Sequence, residues 1–116
     1  MKIRHILKSK DFADVFSSGK KLKGQTLSLH IKRCASEEGI SVGVVISKAM
    51  APLAVKRNYI KRRIYTFFRD RGASLKKNVK VVVRLSRNVR DEKKRPLSRV
   101  LSEELESLTE KAGIKG

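Results

Sequence analysis

The sequence is short of the side chains that build disulfides and metal sites. It contains one cysteine, Cys34, together with two histidines and no tryptophan. A single thiol cannot close an internal disulfide, and Cys34, His5 and His30 do not have the spacing of a metal site. We therefore predict no internal disulfide, with Cys34 as a small, partly buried side chain in a reducing compartment such as the cytoplasm.

Long apolar runs are also missing. Segment 1–12 carries basic residues, but charges interrupt its apolar positions, so we do not expect it to act as a signal peptide. No stretch approaches the roughly 20 apolar residues that a membrane-spanning helix requires. With 116 residues, the chain is predicted to form one domain, 1–116, around a single modest core.

Acidic residues are scarce and unevenly placed. The chain has 29 Lys and Arg against 11 Asp and Glu, which gives a formal net charge of +18. A domain with this imbalance repels itself, and binding a polyanion relieves the repulsion. Nucleic acid is therefore the expected partner, and an anionic membrane surface is the alternative. Four of the acidic residues cluster near the C-terminus, so the rest is more basic still: Glu103, Glu104, Glu106 and Glu110.

The residue patterns that usually indicate catalysis are missing as well. The sequence offers no pair of carboxylates in an apolar setting, no Ser-His-Asp or Cys-His arrangement and no glycine-rich phosphate loop. We therefore predict that the chain has no catalytic residue and no metal site of its own.

The spacing of apolar residues predicts a short helix after an irregular segment, 1–8. Phe12, Val15 and Phe16 follow the i, i+3, i+4 spacing of one helix face. Gly19 can end this helix by adopting the left-handed conformation. The helix is therefore expected to present two aromatic side chains on the face that carries Val15.

The remaining pattern predicts four strands and two further helices. In the second strand, apolar residues alternate with Ser28, His30 and Lys32, so one face packs and the other is polar. The order αβββαβα indicates an α+β fold, a two-layer sandwich whose helices mainly cover one face of the sheet and leave the polar face open. The predicted strands are 20–24, 25–33, 40–47 and 79–86, and the later helices are 54–71 and 96–112.

Segment 54–71, AVKRNYIKRRIYTFFRDR, is the most informative stretch. It holds seven basic residues and one acidic residue, while its apolar residues repeat at steps of three and four and so share one side of a helix. Like charges one turn apart repel by a few tenths of a kcal/mol, so this helix is suited to binding phosphates. A solvated basic face is the ordinary alternative, and the net charge favours the binding interpretation. One polar stripe contains Asn58, Arg62, Tyr65 and Arg69, with Arg57 and Lys61 beside it.

Three motifs give the sequence a resemblance to a known family. They are DFADVFSSGKKLKG at 11–24, VGVVIS at 42–47 and, after Ser47-Lys48, AVKRNYIKR at 54–62. In this order and at this spacing they resemble the bacterial ribonuclease P protein subunit, and the resemblance covers most of the chain. The chain departs from the family pattern by lacking the expected basic residue at three positions: Ala49, Tyr59 and Tyr65.

The resemblance implies a fold like domain 2 of ribosomal protein S5, with a left-handed βαβ crossover. It also implies an endoribonuclease holoenzyme in which the RNA subunit performs the hydrolysis with bound magnesium. One copy of the chain would bind each catalytic RNA and contact the 5′ leader of precursor tRNA, without a membrane partner. The residues implied to contact the catalytic RNA are Lys48, Lys56, Arg57, Asn58, Lys61, Arg62 and Arg69. Those implied to line a leader cleft between the first helix and the sheet are Phe12, Phe16, His30 and Lys32.

Other interpretations stay open on the residues alone. A small ribosomal protein, or another structural RNA-binding protein without an enzyme partner, would have a similar composition. A peripheral membrane protein would use the basic amphipathic helix, although the core needs the apolar side of that helix. Without the resemblance, Phe12 and Phe16 fit a core face as well as a stacking surface, and His30 would be a surface imidazole.

Overall fold

A computed structural model of the chain describes residues 3–5, 9–33, 40–71 and 79–113. Within these ranges it contains one mixed β-sheet and three α-helices. Cys34, and Gly72 at the predicted end of the central helix, lie outside the described residues. The elements in chain order are β1 (Ile3–His5), α1 (Ser9–Ser18), β2 (Lys20–Lys23), β3 (Leu27–Arg33), β4 (Ile40–Val45), α2 (Ala54–Asp70), β5 (Val79–Leu85) and α3 (Lys94–Ala112).

The strands form one sheet in the order β1-β4-β5-β3-β2, with β5 at its centre. β4 is parallel to β1 and to β5, whereas β3 is antiparallel to β5 and to β2. Because β4 and β5 are parallel, their carboxyl ends lie at the same edge of the sheet. At this edge Val89 N donates to Met50 O at 2.8 Å, and Asn88 Nδ2 donates to Ala49 O at 3.1 Å. These bonds join the two segments that lead into α2 and α3.

α2 and α3 pack against one face of the sheet and enclose the main core. The core side of α2 carries Ile60, Ile64 and Phe68, which are fully buried. Each buried side chain of this size contributes about 1.5–3 kcal/mol, so the apolar side of α2 is fixed to the sheet. At the start of β3, the carboxylate of Glu104 on α3 accepts hydrogen bonds from Thr26 N and Leu27 N, both at 2.8 Å. These bonds satisfy backbone amides that β-pairing leaves free.

α1 packs on the opposite face of the sheet. Val15 of α1 and Val82 of β5 are fully buried against each other, and Phe12 packs beside them. Gly19 follows α1 without a positive φ, so the left-handed helix end predicted there is wrong. A Cβ at Gly19 would lie 2.3 Å from Val15 O and 2.8 Å from Ile31 O. Close approach of backbone, rather than backbone conformation, therefore requires the glycine.

The predicted α+β class and the order αβββαβα are confirmed from α1 onward. The irregular structure predicted for segment 1–8 is wrong for Ile3–His5, which pairs in parallel with β4. α3 begins at Lys94, two residues before the predicted Pro96. The polar face of the sheet is not open as predicted, because α1 covers part of it and His30 is buried. None of the described helices is long and apolar enough to cross a membrane.

Candidate nucleic-acid interface

The outward side of α2 is a dense cationic surface. Asn58, Arg62 and Arg69 are exposed along the stripe that the sequence predicts, and Lys61 is half-buried beside them. The first turn of α2 contains no acidic residue. Within the described ranges no carboxylate pairs with Arg62, so its charge is available to an external anion. We refer to Asn58, Lys61, Arg62 and Arg69 as the α2 face.

Arg57 organises the loop that leads into α2. Its Nη1 donates to Ala51 O at 2.9 Å and to Pro52 O at 2.8 Å, and Ala51 N donates to Ser47 O at 3.1 Å. A guanidinium has five N–H donors in a planar fork, so donors of Arg57 remain for a phosphate. Lys48 is exposed in the same loop. The loop that Arg57 fixes therefore also presents a second cation.

Lys56 is not part of the exposed cationic surface, so the expectation of a direct RNA contact is corrected. The residue is 8% exposed, and its Nζ donates to Arg90 O at 3.0 Å and to Glu92 O. These bonds tie the connection between β5 and α3 to the first turn of α2. Helix periodicity explains the burial, because Lys56 precedes Ile60 and Ile64 at steps of four on the core side of α2.

Both tyrosines of α2 take part in packing. The Tyr59 hydroxyl donates to Lys94 O at 3.2 Å, and its ring faces Arg63 Cζ at 5.7 Å and Lys94 Nζ at 5.4 Å from the ring centroid. Tyr65 packs against the main core. Burial raises the pKa of the Tyr65 phenol, while a hydrogen bond with the Val44 backbone opposes the shift. Tyr59 therefore links α2 to α3, and Tyr65 links α2 to β4.

A cleft lies beside α1 on the opposite face of the sheet. Phe16 of α1 is 39% exposed, and its ring meets that of His30 edge to face, with centroids 4.6 Å apart and planes at 84°. Phe12 is half-buried against Val15 and Val82. The structure therefore brings Phe16 and His30 together, as the resemblance implies, whereas Phe12 also serves the small core.

His30 is buried, contrary to the surface position that its residue pattern suggests. It is 6% exposed, and its Nε2 is a buried atom without a hydrogen-bond partner. Burial, followed by the charges of Lys21 and Arg84, lowers the pKa of His30 below 6.5. These surroundings therefore favour the neutral form of the imidazole. A buried polar atom without a partner costs roughly 1–3 kcal/mol, which a ligand that bonds to it would recover.

Three basic residues that lie beside His30 are not among the site residues predicted from the sequence. Lys21, Lys23 and Arg84 line a cavity of about 180 Å³ together with His30 and Ser28. The register explains this grouping, since Lys21 pairs with His30 and Ser28 pairs with both Lys23 and Arg84. Alternation within β2 and β5 places these residues on the polar face, but only strand pairing brings them together. We refer to Phe16, His30, Lys21, Lys23 and Arg84 as the α1 cleft.

Lys32, which the resemblance assigns to the leader cleft, is bound to α1. Its Nζ donates to Asp14 Oδ1 at 2.6 Å and Oδ2 at 2.7 Å. The pair is partly exposed, so its contribution to stability is small, about 0–1 kcal/mol. Its geometric effect is larger, because it joins α1 to β3 on the face that carries the α1 cleft.

The family of the chain follows from comparison with known proteins. A family model described as Ribonuclease P matches residues 1–113. The chain belongs to the ribonuclease P protein family. A curated relative, the ribonuclease P protein component of Pseudanabaena sp. (strain PCC 6903), is 32% identical over 104 residues, which cover 90% of this chain and 86% of the relative. The family role, protein component of an endoribonuclease holoenzyme, is therefore the role of this chain.

Solved structures of ribonuclease P proteins share the fold. The protein from Staphylococcus aureus superposes with a TM-score of 0.86 at 20% identity, covering 99% of this chain and 100% of that chain. The protein from Thermotoga maritima superposes with a TM-score of 0.79 at 23% identity, covering 95% of this chain and 97% of that chain. The ribonuclease P protein fold is thus retained although more than three quarters of the aligned residues differ.

Two carboxylates close to the candidate surfaces are engaged by cations. Asp14 binds Lys32, and Glu92 binds Arg87 through two bonds, at 2.5 and 2.9 Å. Among the described residues, no group of three or more His, Cys, Asp or Glu side chains is placed to hold a metal ion. The side chains of both surfaces are therefore suited to bind and orient an anionic partner.

Proposed function

We propose that the chain binds the catalytic RNA of ribonuclease P through the α2 face and the 5′ leader of precursor tRNA through the α1 cleft. The observation that carries this proposal is the pair of cationic surfaces on opposite sides of one sheet. One surface is an exposed helix, and the other is a cleft with an aromatic edge. A protein with two such surfaces can hold an RNA and its substrate at the same time.

The α2 face is suited to a structured RNA. Arg62 and Arg69 are exposed about two turns apart on one stripe, with Asn58 at its start. Arginine binds phosphate oxygens with two donors at once, which fixes orientation as well as adding affinity. Lys48 in the preceding loop and Arg57 in the first turn of α2 extend this surface at the N-terminal end of the helix. Lys56 contributes by holding α3 against α2 rather than by touching RNA.

The α1 cleft is suited to a single-stranded leader. Phe16 offers a partly exposed ring beside His30, and bases stack on such rings with about 1–3 kcal/mol each and little sequence demand. Lys21, Lys23 and Arg84 lie beside His30, where they can pair with the backbone of the same strand. A protein that assists the maturation of many precursors needs this tolerance of sequence.

In this proposal the RNA, and not this chain, performs the hydrolysis. Magnesium held by the RNA would supply the chemistry of the hydrolysis, while this chain positions the RNA and the leader in the cytoplasm, one copy per RNA. Two carboxylates near these surfaces, Asp14 and Glu92, are paired with Lys32 and Arg87. The RNA-free chain is accordingly expected not to cleave precursor tRNA.

Reconstitution tests the proposal. The chain is added to a ribonuclease P RNA at low magnesium, and 5′ cleavage of precursor tRNA is measured. We expect faster cleavage and tighter binding of substrates that carry a leader. An unchanged rate and unchanged leader affinity would refute the assignment, as would cleavage by the chain without RNA.

Two variants separate the surfaces. Arg62→Ala removes one exposed cation from the α2 face, so RNA binding should weaken and the slope of log K against log salt should fall by about 0.7–0.9. Arg99→Ala on α3 is the matched control, because Arg99 is also an exposed helical arginine. Phe16→Ala should weaken binding of precursor tRNA and spare mature tRNA. Equal losses for both tRNAs would place the leader elsewhere.

A further inference from the structure

An apolar groove lies between the first turns of α2 and α3, outside both surfaces described above. Leu53 and Val55 are each 69% exposed, and Pro96 is also exposed. They line a groove of about 720 Å³ together with side chains at the start of α3. Val55 lies in the AVKRN motif, yet the core does not use it. Exposed apolar surface of this kind marks an interaction site.

The rim of the groove is positively charged. Lys93, Lys94 and Arg95 are exposed along it, and in the part of the chain that the structure describes none of the three is paired with a carboxylate. The one acidic residue of the lining, Glu92, is neutralised by Arg87, at 2.5 and 2.9 Å. The groove therefore joins an apolar floor to a cationic rim.

The two helix starts add to this positive potential. Neither Leu53 at the N-cap of α2 nor Lys93 at the N-cap of α3 makes a side-chain capping bond, and neither helix has an acidic residue in its first turn. The partial positive charges at these N-termini are therefore not compensated by side chains. These partial charges add to the positive potential of the rim. The apolar floor is a separate feature, which a binding site for a simple anion would not have.

We propose that this groove binds an unpaired nucleotide of the partner RNA, with the base on Leu53, Val55 and Pro96 and the phosphate at Lys93 and Arg95. The floor has few hydrogen-bonding groups, so it would hold the face of a base rather than read its edge. A paired base has its faces covered by stacking and cannot enter. A second copy of this chain is disfavoured, because two molecules of charge +18 repel each other.

The inference rests on the proposed function, since the groove adjoins the α2 face. Val55 lies one helical turn before Asn58, so an RNA bound along α2 passes the groove. An acidic protein segment is the competing occupant, and it would use the same cations. The two occupants differ in one physical respect: every nucleotide brings an aromatic base whose ring current shifts the methyl groups beneath it, whereas the acidic side chains of a protein segment have no ring current.

Methyl NMR of the full-length chain tests the proposal. Leu and Val methyl groups are labelled, and the chain is titrated with a single-stranded RNA oligonucleotide and, separately, with a duplex of the same strand length. We expect upfield shifts of the Leu53 and Val55 methyl signals with the single strand and not with the duplex. Equal shifts with both RNAs, no shift with either, or dimerisation through the groove in sedimentation would each overturn the inference.

Binding to ribonuclease P RNA gives the second measurement. Leu53→Ser with Val55→Ser should weaken binding roughly fivefold, the lower end of base-packing effects, because aliphatic side chains replace the usual aromatic platform. The salt slope should not change, since no cation is lost. Val55→Ile is the matched control and should retain affinity.

The failures of the two proposals are distinguishable. If Arg62→Ala weakens RNA binding and the double serine variant does not, the groove inference is wrong and the α2 face assignment stands. If the unmodified chain does not bind ribonuclease P RNA above the level of an unrelated RNA, the proposed function itself is wrong.

Discussion

Lys56→Met tests whether the most deeply placed lysine of α2 acts on folding or on RNA binding. Its ammonium group donates to Arg90 O at 3.0 Å and to Glu92 O. Methionine keeps the length of the side chain and removes both bonds. The connection between β5 and α3 then loses its attachment to α2, and two backbone carbonyls lose their partners.

The magnitude follows from these two bonds. A hydrogen bond to a charged group contributes about 1.5–3 kcal/mol, and an unpaired carbonyl costs about 1–3 kcal/mol. Both bonds are partly buried, so water can reach part of the site, and methionine avoids the cost of burying a charge. Taking the lower bound of about 1 kcal/mol for each of the two carbonyls, the free energy of unfolding should fall by about 2 kcal/mol in total. With an unfolding entropy of about 2.1 cal/mol/K for each of the 116 residues, that corresponds to a fall in Tm of about 8 °C.

Lys48→Met is the matched control because it removes the same charge from an exposed position. Urea and thermal unfolding should show a loss of about 2 kcal/mol for Lys56→Met and less than about 0.5 kcal/mol for Lys48→Met. RNA binding at several salt concentrations, below both Tm values, should show the reverse order, with a reduced salt slope only for Lys48→Met. Equal stability of the two variants, with a reduced slope for Lys56→Met, would refute the reasoning.

Two further variants concern the α1 cleft. The lowered pKa of His30, caused by burial and then by Lys21 and Arg84, means that the unfolded chain binds its proton more readily. Stability should therefore fall as pH drops below about 6.5, and His30→Gln should flatten this part of the profile in pH-dependent unfolding; an unchanged profile would contradict the assignment. Asp14→Asn frees Lys32 and removes an anion beside the cleft, so leader affinity should rise while stability changes by less than about 1 kcal/mol; weaker leader binding in a precursor tRNA titration would contradict it.

Sequence reasoning predicts well the elements that are long enough to show a regular repeat of apolar residues. α2 buries one regular side, and the pattern of Ile60, Ile64 and Phe68 is sufficient to place that side. β1 has three residues, Ile3–His5, which is too short for any period to appear. Its pairing with β4 depends on a partner 37 positions away in the register, Ile3 with Ile40. Only the folded sheet reveals such an edge strand.

In the candidate interface, too, sequence reasoning predicts the residues of one surface and misses those of the other. Helix geometry predicts that Asn58 and Arg62 are exposed, and the same geometry applied to Lys56 would have placed it on the core side, four residues before Ile60. The α1 cleft is different, because Lys21 and Arg84 belong to strands that are distant in the chain. They come together beside His30 through the register of β2, β3 and β5. Alternation gives the face of each residue, while pairing decides its neighbours.

Tyr59 carries no positive charge, but the side chains around it do. The resemblance implies a basic residue here, and the tyrosine hydroxyl instead donates to Lys94 O at 3.2 Å. Arg63 and Lys94 both lie over the ring, at 5.7 and 5.4 Å from its centroid, where the π-face attracts cations. Two elements thus supply cations at the place where one basic residue would stand. Because Lys94 also borders the groove between α2 and α3, the ring of Tyr59 connects the α2 face to the groove as one positively charged surface.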